Sequence, residues 1–159
     1  MMFWSHQIVA ASGFLAYTDV ATGGEWELST EFGIALVLVM TGAALPDIAH
    51  PDSTLGKKVK PISTFISALA GHRGLTHSLA MMVGLYMLGA HFEWTWMFWL
   101  VIGIALHLIG DFLTDSGVPL LWPSRKRYRF VLVGSTNGLS EPIMVLLFVS
   151  GCIALAWFY

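Results

Sequence analysis

Charged residues are scarce in this chain of 159 residues, of which Asp, Glu, Lys and Arg make up only 11%. An average soluble domain contains roughly 25% of these residues. Hydrophobic residues account for 56% of the chain, and the mean hydropathy is +0.71. These values exclude an ordinary soluble domain and indicate a membrane protein.

Cysteine is almost absent, because Cys152 is the only one in the sequence. A single cysteine excludes an intrachain disulfide and a cysteine-rich zinc site. Any bound metal must therefore be held by the nitrogen and oxygen atoms of His, Asp and Glu side chains.

Basic residues are absent from most of the chain and occur in only two connecting segments. These eight residues are Lys57, Lys58, Lys60, Arg73, Arg125, Lys126, Arg127 and Arg129. The turns on the other side carry only acidic residues, including Glu27 and Glu93. The positive-inside rule then predicts a multi-pass protein of the bacterial inner membrane, with its N-terminus in the cytoplasm and its C-terminus outside.

Five apolar stretches are present, at about residues 3–17, 32–45, 75–90, 94–113 and 143–158. They predict one all-α membrane domain over residues 1–159 with about five transmembrane helices. Several stretches are shorter than the ~20 residues that cross a bilayer, so the helices must extend into their polar flanks. An amphipathic helix is predicted between the second and third stretches, where apolar residues recur at helical spacing. They are Val59, Ile62, Phe65, Ile66 and Leu69.

Histidine and aspartate residues gather at the ends of these stretches, on the predicted cytoplasmic side. They are His6, Asp47, His50, His72, His77, His107, Asp111 and Asp115. A polar group at the edge of hydrocarbon is costly unless something satisfies it, so so many at one depth predict a bound cation.

His107 and Asp111 form the sharpest local pattern, because residues four apart lie above one another on a helix and can reach one cation. A helix-surface ion pair is the alternative. Gly103 and Gly110 would let another helix come close to this face.

The segment after the second stretch contains Asp47 and His50, each next to a proline. We expect the prolines to end the helix and stiffen a turn that presents both side chains to one centre. An ordinary proline-bounded turn is the alternative. Asp52, a candidate catalytic carboxylate, is equally suited to begin the next segment as an N-cap together with Ser53.

Residues 71–78 carry His72, Arg73 and His77. We expect His72 on a glycine-flanked turn and His77 one turn inside the third helix, with Thr76 or Ser78 orienting a ring. Arg73 is suited to hold an anionic substrate through a bidentate guanidinium. A snorkelling interfacial arginine is the equally weighted alternative.

His6 and Glu141 begin the first and fifth stretches and would enter the same face. Each alone is typical of a polar helix terminus, and only the shared depth makes them candidate ligands. Asp115 is equally suited to begin the turn at Ser116 and Gly117, and His91, on the opposite side, is interpreted as a polar helix cap.

Three motifs together resemble the YdjM-type family of predicted metal-dependent membrane hydrolases of bacteria. They are Pro46-Asp47-Ile48-Ala49-His50-Pro51-Asp52-Ser53, Gly71-His72-Arg73-Gly74-Leu75-Thr76-His77-Ser78, and His107-Leu108-Ile109-Gly110-Asp111 followed by residues 117–123. The resemblance implies an inner-membrane hydrolase with a His/Asp metal centre. A looser similarity, through the His-x-x-x-Asp helix, points to the zinc-dependent phospholipase C and P1-nuclease group.

The sequence departs from the family pattern at Ala49, where the family usually carries a second aspartate. The missing carboxylate would be a metal ligand or a general base, unless Asp52 replaces it. The family tends to show proline where Asp115 stands, so Asp115 is not carried over as a ligand.

The sequence therefore predicts a metal-dependent hydrolase that acts on a phospholipid or another lipid phosphoester at the cytoplasmic leaflet. One to three divalent ions are expected, zinc first and manganese second. The predicted metal ligands are His6, Asp47, His50, His72, His77, His107, Asp111 and Glu141, and the predicted catalytic residues are Arg73, Asp47 and Asp52.

Two further hypotheses remain beside the phosphoesterase. The same centre would also suit amide or carboxylic-ester hydrolysis, and a metal-binding protein without activity, a carrier or a structural or regulatory protein with a vestigial site, is the alternative outside enzymes. The expected partners are the lipid bilayer and a lipid-like or phosphate-bearing substrate. No nucleic acid partner is expected, because membrane topology explains the basic segment 125–129; the oligomeric state is not predicted.

Overall fold

The computed structural model describes residues 1–70, 74–124, 126–130 and 138–158. Six α-helices lie in these residues: α1 (Phe3–Thr22), α2 (Thr30–Ile48), α3 (Lys60–Ala70), α4 (Leu79–His91), α5 (Thr95–Phe112) and α6 (Ser140–Phe158). A short 3₁₀ turn, Leu75–His77, precedes α4. Within the described part of the chain, extended pairing is limited to one antiparallel bridge between Val118 and Tyr128. The predicted all-α class is confirmed.

Three helices of the described residues, α2, α5 and α6, are long and apolar enough to cross a membrane. The apolar helix α4 has only 13 residues. Helix α1 has 20 residues but carries polar side chains such as Gln7 and Asp19. Multiple crossings are therefore supported by length and composition, and the number five stays a prediction. The predicted amphipathic segment is a helix, α3.

Helices α2 and α5 form the closest pair in the structure, and two glycines make this contact possible. A Cβ added to Gly103 would lie 2.0 Å from the Val39 carbonyl oxygen, and one added to Gly42 would lie 2.2 Å from the Leu100 carbonyl oxygen. A methyl group at either position would collide with backbone, which cannot move aside as a flexible side chain can. The two backbones therefore touch along this seam.

Helix α1 reaches the same end of α5 at the second predicted glycine. A Cβ on Gly110 would lie 3.0 Å from Nδ1 of His6. Further along, Val9 and Phe14 of α1 pack with Val39 of α2 and Val145 of α6 in a common apolar core. The prediction that Gly103 and Gly110 admit neighbouring helices is confirmed, and α1, α2 and α5 meet at one end of the bundle.

Two local predictions about helix ends were wrong. Pro46 does not end α2 but lies inside its last turn, and the helix continues to Ile48. His77 does not lie inside α4, because Ser78 is the N-cap of that helix and accepts a hydrogen bond from the Met81 backbone N–H. The 3₁₀ turn before this cap holds His77, and the hydrogen bond from the Leu79 N–H to the Leu120 carbonyl ties the start of α4 to the following loop.

The glycine seam gives a direct test of this packing. Gly103→Ala should destabilise the protein by about 1–3 kcal/mol, because its methyl group would overlap the α2 backbone. Gly84 lies in α4 with nothing within 4 Å of an added Cβ, so Gly84→Ala is the matched control. Thermal unfolding in detergent should show a clear drop for the first variant and none for the second. Equal melting temperatures would contradict the close α2–α5 contact.

Candidate metal centre

His107 lies at the centre of the polar cluster and is completely buried. Its Nδ1 lies 2.7 Å from the carbonyl oxygen of Ala43 on α2. A carbonyl can only accept a hydrogen bond, so Nδ1 carries the proton and the neutral ring presents a lone pair at Nε2. A hydrogen bond of this kind fixes the orientation of metal-binding histidines. The α2–α5 seam thus prepares Nε2 as a ligand atom.

His77 faces His107 from the 3₁₀ turn and is also buried. Its Nδ1 lies 3.1 Å from the Thr76 hydroxyl, which agrees with the predicted role of Thr76 in orienting a ring. Its Nε2 lies 3.3 Å from Nε2 of His107. Burial lowers the pKa of the His77 imidazole, although the hydrogen bond with Asp47 acts in the opposite direction. The neutral ring, which can bind a metal, is therefore favoured.

Two carboxylates complete the group around these two nitrogens. Oδ2 of Asp111 lies 3.6 Å from Nε2 of His77 and 3.6 Å from Nε2 of His107. Oδ1 of Asp47 lies 3.8 Å from Nε2 of His77. A tetrahedral ion with bonds of roughly 2.0–2.1 Å separates its ligand atoms by about 3.3–3.4 Å. The observed separations exceed that spacing by at most a few tenths of an ångström.

The other carboxylate oxygen of Asp111 faces α1. Oδ1 lies 3.3 Å from Nε2 of His6 and accepts a hydrogen bond of 2.8 Å from the α-amino group of Met1. The His6 ring is stacked on His107 with 3.8 Å between ring centroids. Two overlapping sets of ligand atoms result, His6 with His107 and Asp111, and Asp47 with His77 and His107.

The remaining predicted ligands stand in other positions. Among the described residues, neither set of converging ligand atoms includes His50, Asp52 or Glu141. Nδ1 of His50 accepts a hydrogen bond from the Asp52 N–H, and the Asp52 side chain is exposed. Glu141 is buried, and its Oε1 accepts a hydrogen bond from the Met2 N–H. The roles of these three residues as ligands or catalytic groups stay predictions.

Two further predicted residues, His72 and Arg73, lie outside the described residues. Asp115 is exposed at the end of the cluster, in agreement with its exclusion as a ligand. Ala49 is buried directly after α2, at the C-cap position. The position that departs from the family pattern therefore lies two residues from Asp47.

Sequence reasoning missed the group that orients His107. Backbone atoms leave no direct signal in a residue pattern, and Ala43 contributes only its carbonyl oxygen. The small residues Gly42 and Ala43 beside the apolar run of α2 were an available signal for a close helix contact. The contact of the Met1 amino group with Asp111 was also missed.

The residues present fit a divalent cation. Two imidazoles and two carboxylates offer nitrogen and oxygen ligands, which suit zinc and related ions. Such a buried group of acceptors and negative charges is costly without a positive charge at its centre. The site can thus hold a metal, and the described residues leave the identity of that metal open.

Comparison with known proteins decides the family. The chain matches the family described as YdjM inner membrane protein over residues 1–158. The chain belongs to this family. The resemblance predicted from the sequence motifs is thereby confirmed.

Individual relatives support the YdjM assignment. The chain is 37% identical over 141 residues to Inner membrane protein YdjM of Escherichia coli (strain K12), and equally to that of Shigella flexneri, covering 83% of this chain and 69% of each relative. It is also 37% identical over 106 residues to Uncharacterized protein YvsG of Bacillus subtilis (strain 168), covering 65% of this chain and 66% of that protein. No solved structure matches the chain.

Metal binding at this centre can be tested by substitution. His77→Ala and His107→Ala should each strongly lower the bound metal, because each removes a buried ligand nitrogen. His91→Ala is the matched control, since His91 is exposed at the far end of α4. Elemental analysis of the purified proteins in detergent measures the metal-to-protein ratio. Stoichiometric metal in both cluster variants would contradict the assignment.

Proposed function

We propose that this YdjM-family protein is a metal-dependent hydrolase that cleaves phospholipids or related lipid phosphoesters. The observation that carries the proposal is the convergence of the Asp47, His77, His107 and Asp111 ligand atoms in one buried group. Zinc is the proposed ion, with manganese second.

The ligand set favours hydrolytic chemistry. When bound, a divalent ion of this type activates water near neutral pH and polarises a scissile phosphoryl oxygen. Ala43 and Thr76 hold the two imidazole rings in place, so ligand geometry does not depend on the substrate. Arg73 is the proposed anion-binding residue, because a guanidinium matches two phosphoryl oxygens at once.

The position of the cluster along the helices favours a lipid substrate. Asp47 and Asp111 lie in the last turns of α2 and α5, and His77 lies just before α4. Both α2 and α5 are candidate spans, so their ends lie near the membrane boundary, at the depth of lipid phosphate groups. Transporters usually place their ion sites near the bilayer midplane, which disfavours a carrier.

A metal-binding membrane protein without hydrolase activity is the second candidate, and Ala49 favours it. The family usually has an aspartate at this buried position. Loss of a ligand or a general base would leave a site that binds metal but turns over no substrate.

The proposed orientation can be tested with reporter fusions. Clustering of all eight basic residues in two connections places Lys57 and Arg127 in the cytoplasm. With five crossings, a fusion after residue 158 should report an outside C-terminus. Fusions near Lys58 and Lys126 are the internal controls and should report the cytoplasm. A cytoplasmic C-terminus would contradict five crossings.

Hydrolysis is tested with purified protein, zinc or manganese, and vesicles containing phosphatidic acid or phosphatidylglycerol. Product release should fall at least about 100-fold in His107→Ala, because the metal site is lost. Arg73→Lys should lose about 10-fold, since an ammonium cannot form the bidentate pair. Metal-loaded protein that releases no more product than His107→Ala from any phosphoester or carboxylic ester would favour the non-enzymatic alternative.

Position 49 tests whether this chain is an impaired member of its family. Ala49→Asp should raise the rate or the bound metal if the missing carboxylate is a general base or a ligand, and general bases contribute about 10²–10⁴-fold. Ala49→Asn is the matched control, because it has the same shape without the negative charge. Identical behaviour of the two variants and the parent would exclude position 49 and make Asp52 the next residue to test.

A further inference from the structure

Helix α3 presents its apolar face away from the rest of the protein. Ile62, Phe65 and Leu69 recur at spacings of three and four and are 57%, 65% and 72% exposed. The neighbouring side of the same helix packs inward, where Ser63 is fully buried. With 11 residues, α3 is far shorter than the ~20 residues needed to cross a bilayer. Its apolar face therefore needs a covering surface other than a membrane-spanning environment.

Three lysines stand at the beginning of this helix. Lys57 and Lys58 precede α3, Lys60 is its first residue, and all three are exposed. Among the described residues, none of these ammonium groups forms an ion pair with a carboxylate. An apolar face with free positive charges beside it is complementary to an anionic bilayer surface, where each lysine strengthens binding.

The connecting loop sets the depth of α3. The Ser53 hydroxyl donates to the Asp47 carbonyl at 2.7 Å and accepts from the Gly56 N–H at 2.8 Å. The Val59 N–H then donates to Gly56, and the Ser63 N–H donates to Val59. This chain of hydrogen bonds ties the start of α3 to the last turn of the candidate span α2. The lysines and the apolar face are thereby held close to the membrane boundary.

We propose that α3, together with Lys57, Lys58 and Lys60, is a docking surface for anionic phospholipids. The apolar face enters the boundary between headgroups and acyl chains, and the lysines bind the lipid phosphates. This surface is separate from the metal cluster, so the proposal stands whether or not the protein is a hydrolase.

The test measures the depth of spin labels on α3 in the full-length protein, with Cys152 first replaced by Ser. One label is placed by Phe65→Cys, on the apolar face. The matched control is Thr64→Cys, one residue away on the opposite, exposed side of the helix. Collision with oxygen, which concentrates in lipid, and with a water-soluble nickel complex reports depth. Vesicles of phosphatidylcholine alone are compared with vesicles containing one quarter phosphatidylglycerol.

The label at position 65 should lie in lipid and the label at position 64 in water when phosphatidylglycerol is present. The ratio of docked to undocked label at position 65 should rise roughly 10–100-fold with phosphatidylglycerol. Lys57→Gln, Lys58→Gln and Lys60→Gln combined should abolish this rise. The charge-matched control, Lys126→Gln with Arg127→Gln and Arg129→Gln, should leave it unchanged.

Three outcomes would overturn the proposal. A label at position 65 that is exposed to water in both vesicles would exclude membrane docking. Equal docking in both vesicles, or docking that the three lysine substitutions do not affect, would exclude anionic lipid as the partner. A label at position 65 shielded from both oxygen and nickel would show that a protein surface covers this face.

Discussion

The close contact between α2 and α5 is the constraint on which the candidate site depends. Gly42 and Gly103 allow the two backbones to touch, and this brings the Ala43 carbonyl to Nδ1 of His107. If the helices stood one methyl group further apart, that hydrogen bond would lengthen and the ring could rotate. The tautomer of His107, and with it the lone pair at Nε2, is thus a consequence of helix packing rather than of the histidine alone.

The same contact gathers side chains that are far apart in sequence. His107 and Asp111 come from α5, Asp47 from the end of α2, and His77 from the turn before α4. Gly110 adds α1, whose His6 stacks on His107. Burying several imidazoles and carboxylates together is costly in an apolar bundle, so a bound cation accounts for their proximity better than chance does. The position of this cluster at the ends of candidate spans is what connects the metal to lipid chemistry.

Much of this arrangement could be predicted from the sequence. Composition and helical spacing predicted the all-α class, the amphipathic α3 and the pairing of His107 with Asp111, because these depend on local periodicity. Helix ends were less accessible: Pro46 lies within α2 because the last turn tolerates it, and His77 precedes α4 because Ser78 caps that helix. The backbone contacts of Ala43 with His107 and of Met2 with Glu141 depend on tertiary packing, which no residue pattern encodes.

The ligand shell of the bound metal tests the central claim most directly. X-ray absorption at the metal edge of the purified protein should show two imidazole nitrogens, with the other ligands oxygen, at roughly 2.0–2.2 Å. His77→Ala should reduce the imidazole contribution by one or eliminate the bound metal. A shell without imidazole, or a purified protein that binds no divalent ion at all, would contradict the account.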